Sequence, residues 1–85
     1  METEKDVVLS IHLTEDDTET IATATLDLRG DHFEASGRAR RNPIDPPKPV
    51  IGEELAIARA LAKLEERIMD KAQDKIDEFL VHDDD

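Results

Sequence analysis

The sequence predicts an α+β domain, a three-stranded antiparallel meander followed by one long C-terminal helix packed on one sheet face. Three observations carry this expectation. Apolar and polar residues alternate along three successive segments of residues 1–41, the period of half-buried strands. Short polar or glycine-containing turns separate those segments. From residue 53 onward the apolar spacing changes to steps of three and four, the period of a helix.

The elements follow in order. Strand one, over 5–14, carries Val7, Leu9, Ile11 and Leu13 on one face, with Ser10 and His12 between them and Val8 out of pattern. Glu15, Asp16, Asp17 and Thr18 make a polar turn. Strand two, over 19–29, alternates Ala22, Ala24, Leu26 and Leu28 with Thr23, Thr25, Asp27 and Arg29. A tight turn is placed at Gly30 and Asp31, because glycine accepts the positive φ of short hairpins. Strand three, over 32–41, sets Phe33, Ala35, Gly37 and Ala39 against Glu34, Ser36, Arg38 and Arg40. Strands joined this way leave one face for a core and one for water.

The loop 42–50 holds all four prolines, which fix φ and lack amide donors, so it reads as a stiff crossover that sets the helix angle. The helix is expected over 53–80, with Gly52 as its N-cap and Glu53 and Glu54 in a first turn that favours carboxylates. Ile57, Leu61, Leu64, Ile68, Ala72, Ile76 and Phe79 form its stripe, flanked by Ala58, Ala62, Met69 and Leu80. Such a helix is about 42 Å long, whereas nine-residue strands reach about 30 Å. Its last turns should overhang the sheet, and Ile76, Phe79 and Leu80 then need a partner, best supplied across a two-fold axis. Glu65 interrupts the stripe and is expected at the edge of that dimer contact. Residues 81–85 read as a frayed acidic tail.

Composition narrows the class. Eighty-five residues make one domain, expected over 1–85, and a chain of this size hides only about 60% of its unfolded surface. Just two aromatics, Phe33 and Phe79, contribute to the 38% apolar fraction, and that thin core also favours a homodimer. No cysteine is present, which excludes disulfides and thiolate metal sites. The first residues lack a basic start and apolar run, and no segment approaches membrane-spanning length, so a cytoplasmic protein is expected.

The net charge of -11 is unevenly spread. Residues 1–36 hold two bases against ten acids and residues 51–85 five against eleven. Residues 37–50 alone are positive, with Arg38, Arg40, Arg41 and Lys48 against Asp45. An acidic body repels polyanions at long range, so any such binding would work through this one patch.

The run RARRNPIDPPKPVIGEELAIARALAKL, with the three strands before it, resembles a family of small, mostly actinobacterial proteins of unknown function with a double-stranded-RNA-binding-domain-like fold. Its most specific part runs from Ala39 to Leu61. The resemblance implies the β-β-β-α layout, an association with stress or dormancy, and no catalytic residues. RNA-binding members of that wider fold place lysines at the start of the C-terminal helix. Here that turn holds Gly52, Glu53 and Glu54, which argues against standard double-stranded RNA binding.

Each remaining constellation has a plain structural reading beside the functional one. Arg38, Arg40, Arg41 and Lys48 could dock an acidic or phosphorylated partner, or Arg38 and Arg40 could pair with Asp27 or Glu34 on their own sheet face. On the helix, Arg59, Lys63, Arg67, Lys71 and Lys75 recur every four residues, and pairs such as Lys63 with Glu66 would neutralise them locally. His12 and Ser10 share a flat face that offers no pocket for a nucleophile. His32 falls in a turn, and His82 in the tail beside Asp83, where a loosely held divalent cation is the alternative to a solvated charge run.

The resulting expectation is a non-enzymatic, homodimeric interaction module that takes no cofactor and no metal. It would dock a protein or ribonucleoprotein partner through the junction from Arg38 to Lys48, with Glu65, Ile76, Phe79 and Leu80 as dimer contact. A ribosome- or RNA-associated factor that silences translation is the alternative, and a hydrolase-like enzyme a distant third.

Overall fold

The structure is a computed structural model that describes residues 2–41 and 48–83, the last three of these by backbone alone. Its order is β1 (Leu9–Glu15), β2 (Glu19–Leu28), β3 (Asp31–Arg40) and α1 (Pro49–Asp83). The strands form one antiparallel sheet in the order β1-β2-β3, as the alternating sequence predicts. Cross-strand partners share a face, so the register places Leu9, Ile11 and Leu13 beside Leu26, Ala24 and Ala22, and these beside Phe33, Ala35 and Gly37. The helix lies over this face.

Several boundaries differ from expectation. The first strand is expected from residue 5, but ladder pairing stops at Leu9 opposite Leu26: of residues 5–8 only Val7 keeps the apolar alternation, and periodicity alone supplies no hydrogen-bonding partner. The β2–β3 turn is Arg29–Gly30, with φ of 53° and 86°, and Asp31 belongs to β3. Both central residues at positive φ match the twist of the flanking strands in a two-residue hairpin. Arg29 accepts the steric cost that an L residue meets there.

The helix begins four residues early. Pro49 occupies a position where its missing N–H is no loss, the Ile51 amide donates to the Lys48 carbonyl at 3.1 Å, and Gly52 sits inside the helix, not at its cap. Glu53 and Glu54 therefore fall in the second turn. The helix also runs through Asp83, so the backbone of 81–83 is not a frayed tail, while the expectations placed on 42–47 and on the side chains of 81–85 lie outside the described residues.

The core is made mostly of alanine. Among the described residues, Ala22, Ala24, Ala35, Ala39, Ala56 and Ala60 are buried together with only two larger apolar side chains, Phe33 and Leu64. Helix and strand backbones come close at Gly37, where a Cβ would stand 2.3 Å from the Ala56 carbonyl oxygen and 2.3 Å from the Ala60 amide nitrogen. The helix thus meets the sheet through Ala56, Ala60 and Leu64, with Ile57 and Ile68 half-buried on one flank. The stripe expected to be buried is rotated partly outward: Leu61 is 36% exposed and Met69 62%. Small residues let the two backbones come together, and that contact, not the larger side chains, sets the helix's roll.

The helix covers β3 and β2 and scarcely β1, so Leu9 and Ile11 remain about 40% and 39% exposed on the covered side of the sheet. Thirty-five helical residues span about 52 Å, against about 33 Å for a ten-residue strand. The rod passes the β2–β3 turn at Lys75, whose Nζ donates to Asp31 Oδ2 at 2.6 Å, and continues into solvent. The Cα radius of gyration is 17.7 Å, where a compact chain of this length has about 12 Å. No helix of the described residues is long and apolar enough to cross a membrane.

Candidate functional site

The junction that the sequence marks as positive becomes the wall of a pocket of about 490 Å³. Three pieces build it. The β1–β2 turn is organised by Asp16, whose Oδ1 accepts from the amides of Thr18 and Glu19, both at 2.8 Å, and from the Thr18 hydroxyl at 2.9 Å. These donors favour the ionised form and hold the Asp16 carboxyl below its ordinary range. The end of β3 is tied to that turn by the Arg41 amide, which donates to the Thr18 carbonyl at 2.8 Å. The first helical turns close the third side with Ile51 and Leu55, which are 51% and 43% exposed.

Arg40, Arg41 and Lys48 are brought together around this pocket. Arg38 is not: it shares the outer sheet face with Arg40 but sits two residues back along β3, opposite Ile21 and away from the β1–β2 turn. Neither Arg38 nor Arg40 pairs with Asp27 or Glu34: the register sets Glu19 opposite Arg40, and the Glu19 carboxylate lies 3.5 Å from Arg38 and 3.8 Å from Arg40. Asp27 and Glu34 instead flank His32, at 2.6 Å and 3.5 Å from its two ring nitrogens, and raise its pKa.

Among the described residues, four carboxylates, Glu15, Asp16, Asp17 and Glu19, line the pocket beside three cations. Its chemistry is therefore of mixed sign over an apolar floor. Next to it, Glu53 of the second helical turn meets Glu15, and the hydrogen bond between the two carboxyls, then desolvation and their mutual repulsion, push the Glu15 pKa up. Glu19 and Glu15 escape sequence reading as site residues, since only the register shows that the β1–β2 turn folds back beside Arg40.

The basic helical row behaves differently from the self-paired face expected of it. Among the described residues the pairs such as Lys63 with Glu66 are not formed. The Arg59 guanidinium donates to the Arg38 carbonyl at 2.7 Å and Arg67 donates to the Glu34 carbonyl, while Lys75 reaches Asp31. Because Arg41 bonds Thr18, odd residues of β3 carry the ladder and even ones turn their N–H and C=O outward. Arg59 and Arg67 thus cap the free edge of the sheet.

Glu65, Ile76, Phe79 and Leu80, the expected dimer contact, are all exposed, the last three at 52%, 67% and 54%. His12 stands exposed on the outer face opposite Thr23, away from the junction pocket.

Comparison with known proteins agrees with this architecture. The crystal structure of Rv2632c superposes with a TM-score of 0.83 at 34% identity, covering 89% of this chain and 90% of that one. The uncharacterized proteins Rv2632c of Mycobacterium tuberculosis and Mb2665c of Mycobacterium bovis are each 43% identical over 56 residues, or 66% of this chain. That match spans 60% of the length of each of these mycobacterial relatives. The pattern of the Rv2632c-like family matches residues 5–84. The β-β-β-α chain with its alanine-lined helix seat belongs to the Rv2632c-like family.

Proposed function

We propose that this protein is a non-enzymatic interaction module, working as a homodimer, that docks a macromolecular partner through the junction pocket. The observation that carries the reading is the pocket itself: Arg40, Arg41 and Lys48 stand around the exposed apolar side chains Ile51 and Leu55. Apolar anchors ringed by charges of both signs suit a folded or extended protein segment, because the anchors give affinity and the charges orientation. A phosphate chain entering there meets Glu15, Asp16, Asp17 and Glu19. A link to stress or dormancy is supported only by the likeness of Ala39–Leu61 to its family, and a cytoplasmic setting by the lack of cysteine.

The test is affinity capture, quantified by mass spectrometry, with the wild type and with Arg40→Ala, Arg41→Ala and Lys48→Ala combined. Loss of a specific protein from the variant supports the reading, and identical capture by both removes the pocket as a docking site. The RNA-associated alternative draws less support, since Arg59, Arg67 and Lys75 are engaged with β3. Absence of co-sedimentation with ribosomes at low salt would end it.

A further inference from the structure

The two edges of the sheet are treated in opposite ways. At β3 the outward carbonyls of Arg38 and Glu34 are occupied by Arg59 and Arg67. At β1 nothing comparable is present among the described residues. The Asp16 amide donates to the Glu19 carbonyl at 3.0 Å, so in the β1–β2 register the even residues of β1 pair with β2. Leu9, Ile11 and Leu13 therefore aim their N–H and C=O groups out of the open edge. Residues 7–14, VVLSIHLT, contain no acid, lysine, arginine or proline, the devices that ordinarily keep edge strands apart.

The side chains of the same residues are also short of cover. Leu9 and Ile11 lie on the helix side, yet the helix sits over β2 and β3. Arg59 points to the β3 edge, so the opposite helical flank, bearing Ile57, Leu61 and Ile68, faces β1. Glu53 on that flank indeed meets Glu15. An apolar strip thus runs from the bare edge to the helix.

We infer that a second copy of this chain pairs its β1 antiparallel with this one, extending the sheet from three strands to six. The inference rests on the homodimer reading and assigns its contact. Charge selects the occupant: two particles of net charge -11 repel over most of their surfaces, and 7–14 is a long stretch where neither presents an acid. Register selects it too. Pairing Ile11 with Ile11 of the second copy sets Leu9 opposite Leu13, so apolar meets apolar on the helix side while Ser10 and His12 meet on the polar side. A two-fold axis through the Ile11 pair, perpendicular to the sheet, keeps both helices on one face. Leu9, Ile11 and Leu13 of both copies then form a floor flanked by Ile57, Leu61 and Ile68 from each.

The full chain is tested by light scattering as wild type, Ile11→Lys and Phe79→Ser, each checked for fold by circular dichroism. The expected result is a wild type of twice the 9.6 kDa chain mass and a folded Ile11→Lys at the single-chain mass. A wild-type dimer that survives Ile11→Lys, whether or not Phe79→Ser dissociates it, overturns the edge pairing and leaves the homodimer reading standing. A monomeric wild type overturns both. If Ile11→Lys does not fold, amide exchange on the wild type decides. Slow exchange at Ile11 and Leu13 supports the pairing, and exchange as fast as at the outward Ser36 amide overturns it.

Discussion

Gly37 and Ala60 bring strand and helix backbones together: a Cβ on Gly37 would lie 2.3 Å from the Ala60 amide nitrogen. Gly37→Ala cannot be absorbed by a side-chain rotation, because the obstructing atoms are backbone. Overpacking a core ordinarily costs about 1–3 kcal/mol, and here the helix must lift along its seat, so a loss of about 3 kcal/mol or more is expected. Urea denaturation of the variant checks it.

The roll of the helix gives a second prediction. Leu64 is 3% exposed and Leu61 36%. Leu64→Ala should cost about 2–5 kcal/mol, as for a truncated core leucine. Leu61→Ala should cost under about 1 kcal/mol in the monomer, and denaturation at low protein concentration compares the two.

His32 links the β2–β3 hairpin to pH. The Asp27 hydrogen bond, then that of Glu34, raises its folded pKa above the ordinary 6.5. The stabilisation is fully present below 6.5 and fades as pH rises through the folded value. Asp27→Asn should move the His32 titration, followed by NMR, back toward 6.5 and flatten the fall in melting temperature above that pH.

Glu15 and Glu53 act in the same sense, through the hydrogen bond between their carboxyls and then through desolvation and repulsion. With the Glu15 pKa raised above 4.5, the folded state binds a proton that the unfolded state releases, so stability is greater below 4.5 and is lost as the pair ionises. Glu53→Gln should therefore stabilise the protein at pH 7, and the gain should vanish below 4.5, as melting curves at the two pH values will show.

The arginine caps on β3 predict a colloidal effect. Arg59→Ala with Arg67→Ala frees the outward carbonyls of Arg38 and Glu34. Exposed strand edges recruit other strands, so dynamic light scattering should show large aggregates at a lower temperature than for the wild type.

Much of the fold was legible because its signals are local. Alternation along Ala22–Leu28 and Phe33–Ala39 needs no knowledge of the partner strand, and the step of three to four after residue 53 marks a helix wherever it packs. The helix start is harder to read, because Gly52 resembles a cap whereas Pro49 fits the first helical position better. The buried face cannot be read from the large apolar residues alone, because small ones line the contact. Ala56 and Ala60, one turn apart, were the available signal, and they matter only opposite Gly37. The junction cations were visible, but the carboxylates among them depend on the β1–β2 register, a relation between distant residues.

The rod that projects past Lys75 stretches the particle to 61 Å in one direction against 28 and 18 Å in the others. A molecule so drawn out meets more drag than a sphere of equal mass. On a gel-filtration column calibrated with round standards, even a lone chain will elute early and pass for something heavier.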